Sequence, residues 1–337
     1  MTPTRVLQFN DCASVARSMV AAAARAGVTW DYLPPSRVRP LGPVTGGLIR
    51  RKAAYAPYWA RRVRAVSRAE VVHVHYGTSA RLLADPGVPK RPYVLTLHGS
   101  DIRRQWKDPG YHDEIQRAVD GAAHVFYANN DTADNARAAR PDAEFLPALV
   151  DAATLPAWAP DGDEPTVLFV SRWDEDKGVD RQLELAAALS RSIRPKARLL
   201  GVDWGPGAEE ARRAGVTLLP RMTQTQFHGL MARSHLAIGQ ATDNFATSEF
   251  EALCMGLPMA ALGHRIGRPD DGSVPPVMQG SVDDVVSQVL DTLDDAPAAA
   301  RRLGSSAWAL PRYDAASYIP MLESRYRIVA ESAAGTC

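Results

Sequence analysis

Between His235 and Leu262 the chain has room for a strand, a loop, a helix and a second strand, and for little else. His235-Leu236-Ala237-Ile238 is a short apolar run suited to a buried strand, and Thr242-Asp243-Asn244 is a polar turn. Phe250, Leu253 and Cys254 recur at helical spacing, Gly256-Leu257-Pro258 stops the pattern, and Met259-Ala260-Ala261-Leu262 reads as the next strand. A helix that opens just after a strand aims unpaired backbone N–H groups into the crevice above the sheet, where they suit a phosphate. The segment is also acidic at both ends: Asp243 sits in the loop, Glu251 follows eight positions later, and Glu249 lies between.

The same alternation runs through the rest of the chain. Residues 5–10 read as a strand, 13–26 as a helix and 28–33 as a strand, a βαβ opening. Further strands are expected at 71–75, 93–97, 122–128, 165–170, 197–202 and 216–219. Helices are expected at 208–213, 225–233, 282–293, 298–303 and 315–330. A chain of 337 residues, 46% hydrophobic, has ample material for two cores. Residues 152–164, rich in Ala, Pro and acids, make the natural linker, so the expected domains are 1–150 and 165–312, joined by 151–164. A net charge of +1 gives no reason to expect nucleic acid. Cys12, Cys254 and Cys337 have no metal-ligand spacing and form no disulfide framework, which suits a reducing compartment. With no leader pattern and no apolar run near the roughly 20 residues of a membrane span, the expected location is the cytoplasm.

Three segments resemble one family. Asp243-Asn244-Phe245-Ala246 followed by Glu251-Ala252-Leu253-Cys254-Met255-Gly256-Leu257-Pro258 resembles the acid-x7-acid signature of retaining glycosyltransferases of family 4. Ser171-Arg172-Trp173-Asp174-Glu175-Asp176-Lys177-Gly178 resembles that family's Gly/Ser-Arg-x4-Lys-Gly segment, and His98-Gly99-Ser100-Asp101 its His-Gly-x-Asp. The resemblance implies an α/β chain of the GT-B type: two Rossmann-like domains facing a central cleft, the first for the acceptor, the second for the donor. Residues 313–337 would form a final helix crossing back to the first domain. It also implies metal-independent, cofactor-free transfer from a nucleoside-diphosphate sugar to a small-molecule, glycan or lipid-linked acceptor, with retention.

By motif match, Glu251 would hold the ribose and Asp243 a sugar hydroxyl. N–H groups of Phe245, Ala246 and Thr247 would hold the diphosphate together with Arg172 and Lys177. Two fixed cations suit a leaving diphosphate that gains negative charge as the glycosidic bond breaks. His98 would reach the donor sugar near the reacting centre, Arg221 and Met222 the base, and Asn10, Asp11 and Asp101 the acceptor side. His73 and His75, alternating with valines, read as sheet residues.

The residues themselves bear on other chemistries. No Gly-x-Gly-x-x-Gly follows the first strand, so a dinucleotide cofactor is rejected there. Asp174 and Asp176 satisfy an Asp-x-Asp metal pair, but Arg172 and Lys177 would flank the ion with positive charge. Residues 50–68 mix arginines with Tyr55, Tyr58 and Trp59. They could touch anionic lipid at the inner membrane face, or form an exposed helix with its arginine stems laid down; Pro57 is expected to interrupt that helix. The chain departs from the family in four places. Asp243 stands for Glu, the turn 10–14 lacks a Gly pair, 147–151 keeps only the ends of Pro-Asn-Gly-x-Asp, and the loop 263–281 follows its own pattern. These departures keep open a catalytically silent nucleotide-sugar binder or partner protein, or a pseudo-glycosidic coupling enzyme or phosphorylase of the same fold.

Overall fold

Strands of an all-parallel sheet are buried on both faces and so appear as near-continuous apolar runs, which is why the short runs above become strands. The computed structural model describes residues 4–11, 14–162, 164–193 and 196–335; Cys12 and Cys337 lie outside them. The chain divides into two units, one of Met1–Asp151 with Ala315–Cys337, the other of Ala152–Asp314.

In the first unit, β1 (Val6–Phe9), β2 (Asp31–Leu33), β3 (Val71–His75), β4 (Tyr93–Leu97), β5 (His124–Tyr127) and β6 (Glu144–Phe145) form a parallel sheet in the order β2-β1-β3-β4-β5-β6. Alternation divides its faces. Leu7, Phe9, Val72, Val74, Leu95 and Leu97 pack on one side. Val6, Val71, Val94 and Phe126 pack on the other, against Ile319, Leu322, Tyr326 and Val329 of the last helix, Ile319–Ala334. Each of these fully buried side chains contributes about 1.5–3 kcal/mol, enough to hold a helix far away in sequence.

In the second unit, β7 (Thr166–Phe169), β8 (Arg198–Val202), β9 (Thr217–Leu219), β10 (Leu236–Ile238), β11 (Met259–Leu262) and β12 (Met278–Gly280) form a second parallel sheet in the order β12-β11-β10-β7-β8-β9. Val167, Phe169, Leu199, Leu236 and Ile238 share its core with Leu185 and Leu189 of the helix Val179–Ile193.

Several local expectations change. Pro57 does not interrupt its helix, which runs unbroken over Leu48–Arg68. A proline removes one N–H, here the bond to the Ala53 carbonyl; Ala53 is half-buried at most, so the loss strands no buried acceptor. In that basic stretch Arg62 is buried, donating to the Val38 carbonyl at 2.7 Å and paired with Asp85, so it is a packing residue. Within the loop 263–281 lies β12, and a helix, Ser305–Tyr313, follows where none was expected; Pro275, Pro276 and Pro311 masked both. Ala159 and Asp161, in the segment read as a linker, donate backbone hydrogen bonds to Ala232 and Arg233 of the second unit.

Candidate functional site

In an open parallel sheet the crevice lies outside the carboxyl ends of the strands, where the strand order reverses. In the second unit that point falls between β7 and β10, and the two motif segments leave from those two strands. After β7 the chain turns through Ser171–Gly178. Asp174 accepts the Asp176 N–H at 3.1 Å and lies 3.2 Å from Arg172 Nε. After β10 the Ala241 N–H donates to the Lys177 carbonyl at 3.0 Å. Gly178 makes this approach possible: at φ +71° a Cβ would stand 2.6 Å from the Ala241 oxygen. A third loop joins from β8, with Trp173 N–H donating to the Trp204 carbonyl at 2.9 Å. The exposed Trp204 ring carries the Arg221 guanidinium 4.6 Å above its centre and that of Arg172 at 5.9 Å. Nothing in the sequence marks Trp204, because an aromatic in a Gly-rich turn has no periodic signal.

The helix Thr247–Met255 opens at this junction. Glu249, which the sequence shows only as a second acid, is fully buried. Its carboxylate accepts the Ala246 N–H at 2.6 Å and the Gln240 N–H at 3.2 Å, and lies 3.5 Å from Arg265. Burial pushes its pKa up to about 7, against the opposing pull of Arg265, the two amides and Lys177. Arg265, itself buried, donates to the carbonyls of Thr242 and Gln240 and sits 4.8 Å over the Phe245 ring. Together they staple the Asp243 loop to the sheet. One correction follows: the Ala246 N–H, expected among the phosphate donors, is taken by Glu249, while Thr247 stands at the first position of the helix. Phe245 is buried, and Met222 is half-buried just beyond β9.

Asp243 is exposed on its loop. Glu251, eight positions on, is buried; its Oε1 accepts from Gln224 Nε2 at 2.8 Å and lies 3.1 Å from His228 Nε2. The motif singles out Glu251 but not these partners, which come from a different helix, Gln224–Arg233.

In the first unit the order reverses between β1 and β3. Asn10 follows β1 and Tyr76 follows β3, both with positive φ (59° and 89°), a strained conformation for a non-glycine residue. They line a cavity of about 340 Å³ with Arg39, Arg81 and Tyr111. Asn10 is 2% exposed; its Nδ2 donates to Ser79 Oγ at 2.6 Å, and its Oδ1 has no partner among the described residues. A second cavity shares Arg39 and Arg81 and continues past Leu41 and Tyr55. Asp11 is buried, its Oδ2 accepting from the Arg17 N–H and the Tyr32 hydroxyl, each at 3.0 Å. Asp101 is a correction: expected on the acceptor side, it is fully buried and accepts the Gly77 and Ile102 N–H groups, each at 2.9 Å. It ties the loop after β3 to the loop after β4, and burial raises its pKa.

His98, at the lip of β4, is half-buried. Its Nε2 meets His75 Nδ1 at 3.1 Å, and burial together with His75 lowers its pKa to about 4. His73 and His75 stack at 4.4 Å and, with Gln8 and Thr96, lie on the face covered by the last helix. Burial lowers His75 to about 4 and holds His73 well below the usual imidazole value, so all three rings are neutral near pH 7. Among the described residues no group of three or more His, Cys, Asp or Glu has a metal-binding arrangement, and no helix is long and apolar enough to cross a membrane.

No protein-family model matches the chain, and no curated protein matches it. Solved structures do. A sucrose-phosphate synthase from Thermosynechococcus elongatus superposes with a TM-score of 0.67 at 15% identity, over 98% of this chain and 100% of that one. HepE from Anabaena, in complex with UDP and glucose, gives 0.65 at 14% identity, over 96% and 99%. The catalytic domain of starch synthase IV from Arabidopsis thaliana, bound to ADP and acarbose, gives 0.64 at 12%, over 98% and 100%. At these identities the likeness is one of fold, GT-B, with two parallel six-stranded α/β units.

Proposed function

We propose that this chain is a metal-independent retaining glycosyltransferase that holds a nucleoside-diphosphate sugar on its second unit. One observation carries the reading: the loop bearing Arg172 and Lys177 is hydrogen-bonded to the Asp243 loop at the switch point where a helix begins. Cations and a helix N-terminus meeting there match a diphosphate whose charge grows as the sugar leaves. Arg172, Lys177 and the Thr247 N–H would hold that diphosphate, and Glu251, steadied by Gln224 and His228, the ribose. Trp204, Arg221 and Met222 would flank the base, and Asp243 and His98 would contact the sugar. In the transfer the bond from the sugar carbon to the phosphate oxygen breaks. The acceptor oxygen bonds to that carbon from the same face, and its proton leaves on the departing phosphate.

For the acceptor, the cavity at Asn10 supports a polyhydroxylated molecule carrying an anionic group: Asn10 Oδ1 would accept a hydroxyl, and Arg39 and Arg81 would face the charge. Exposed Leu48, Ile49 and neighbouring arginines keep membrane contact through residues 50–68 within the proposal. The test is a panel of UDP-, ADP- and GDP-sugars, with released nucleoside diphosphate measured with and without a chelator. Release that depends on an added sugar phosphate and survives the chelator supports the reading. Loss on chelation, restored by Mg²⁺ or Mn²⁺, overturns metal independence. Tight UDP binding without release from any donor favours the silent binder, a reading aided by Asp243 and by the engaged Ala246 amide.

A further inference from the structure

The buried polar side chains under the last helix form one continuous hydrogen-bonded line: His98, His75, Gln8, Tyr326, His73, Thr96. Its direction follows from the orientation of the Gln8 amide together with donor and acceptor chemistry. Gln8 Nε2 donates to the Tyr326 hydroxyl at 3.0 Å, which leaves Gln8 Oε1, an acceptor only, facing His75 Nε2 at 2.9 Å. His75 must therefore carry its proton on Nε2. A neutral imidazole then has a bare Nδ1, so His98 donates to it from Nε2 across 3.1 Å. On the other side the Tyr326 hydroxyl, having accepted from Gln8, donates to His73 Nδ1 at 2.6 Å. His73 Nε2 in turn donates to Thr96 Oγ1 at 2.7 Å. Every ring proton in the line is thereby assigned.

We infer that the Gln8 amide and the Tyr326 hydroxyl are positioning groups that hold His98 in the Nε2–H tautomer, with the Nδ1 lone pair left to accept a hydrogen bond. Reversing the line would require the Gln8 amide to turn over and all three histidines to exchange protons between their nitrogens. The tautomer of a lip residue is thus set by an amide on β1 and a hydroxyl supplied by a helix more than 200 residues later; Tyr326 lies 318 positions from Gln8. The role of His98 toward a sugar hydroxyl rests on the function proposed above, but its tautomer does not.

The experiment is ¹⁵N NMR of the full chain with labelled histidine near pH 7, where the two tautomers give distinct nitrogen shifts and two-bond couplings. The His98 signals are identified by their loss in His98→Gln. In the wild type His98 should carry its proton on Nε2; the Nδ1–H form there overturns the inference without any further variant. In Tyr326→Phe the ring stays, including its edge contact with Trp30 at 5.3 Å, while the hydroxyl that orients Gln8 is gone. His98 should then populate the Nδ1–H tautomer substantially. An unchanged His98 spectrum in that variant means the tautomer is chosen locally and overturns the role of Tyr326. If Tyr326→Phe does not fold, Gln8→Leu, which removes the amide and its orienting acceptor, gives the same reading. Because the readout is spectroscopic, these outcomes stand whether or not any sugar donor is turned over.

Discussion

Replacing Gly178 by alanine isolates the contact that brings the Lys177 loop to the Asp243 loop. Two costs arise. Gly178 has φ +71° and ψ 48°, a left-handed conformation that costs a residue with a Cβ about 1–2 kcal/mol. The new Cβ would also stand 2.6 Å from the Ala241 oxygen and 3.0 Å from its carbonyl carbon, and both atoms are backbone. Real contacts essentially never fall below 3.0 Å, so the loops must part by about 0.4 Å, an overpacking strain of about 1–3 kcal/mol. The 3.0 Å hydrogen bond from Ala241 to Lys177 lies across that seam. Gly304→Ala is the control: Gly304 is left-handed at φ +62° with nothing within 4 Å of its Cβ, so it carries only the first cost. Urea denaturation should show Gly178→Ala destabilised by about 2–5 kcal/mol and Gly304→Ala by about 1–2 kcal/mol. UDP affinity by calorimetry should fall roughly tenfold in Gly178→Ala, because small misplacements of binding groups are costly, and stay unchanged in Gly304→Ala. Equal destabilisation of the two variants, with UDP binding intact in both, would refute the docking argument.

Arg172→Ala and Lys177→Ala should each lower turnover by about 10²–10³ with the denaturation midpoint retained, and wild-type rates in both would remove the diphosphate clamp. Asp243→Asn should leave UDP affinity nearly intact and cut turnover by roughly 1–2 kcal/mol of barrier, whereas Glu251→Ala should weaken UDP binding. If the two weaken UDP alike, the division between sugar and nucleotide is wrong. Glu249 makes a pH prediction. Its folded pKa, raised from 4.5 to about 7 by burial, means the folded state binds the extra proton. Its contribution is therefore complete below about pH 4.5 and is lost as pH rises through 7, a change on the order of 3 kcal/mol. Glu249→Gln, though less stable overall, should lack that slope; an identical pH profile in wild type and variant would show that the carboxylate is already ionised well below neutrality.

The types of element, and the lips at which chemistry gathers, were legible in the linear chain. Short apolar runs such as Val71–His75 and Leu236–Ile238 suit the doubly buried strands of a parallel sheet, and polar residues gather where those runs end. The family resemblance likewise marked Arg172, Lys177 and Asp243 as a group. Tertiary structure decided the rest. The strand orders, which nothing local encodes, put the reversals between β1 and β3 and between β7 and β10, and so chose which lips become crevices. They also sorted acids that look alike in the sequence. Asp243 remains exposed, while Glu249 and Asp101 are buried as staples, because Arg265 reaches one and the Gly77 amide reaches the other. Such partners are invisible to periodicity: His73 and Tyr326 share a hydrogen bond across 253 residues, and only the packing of the last helix on the sheet brings them together.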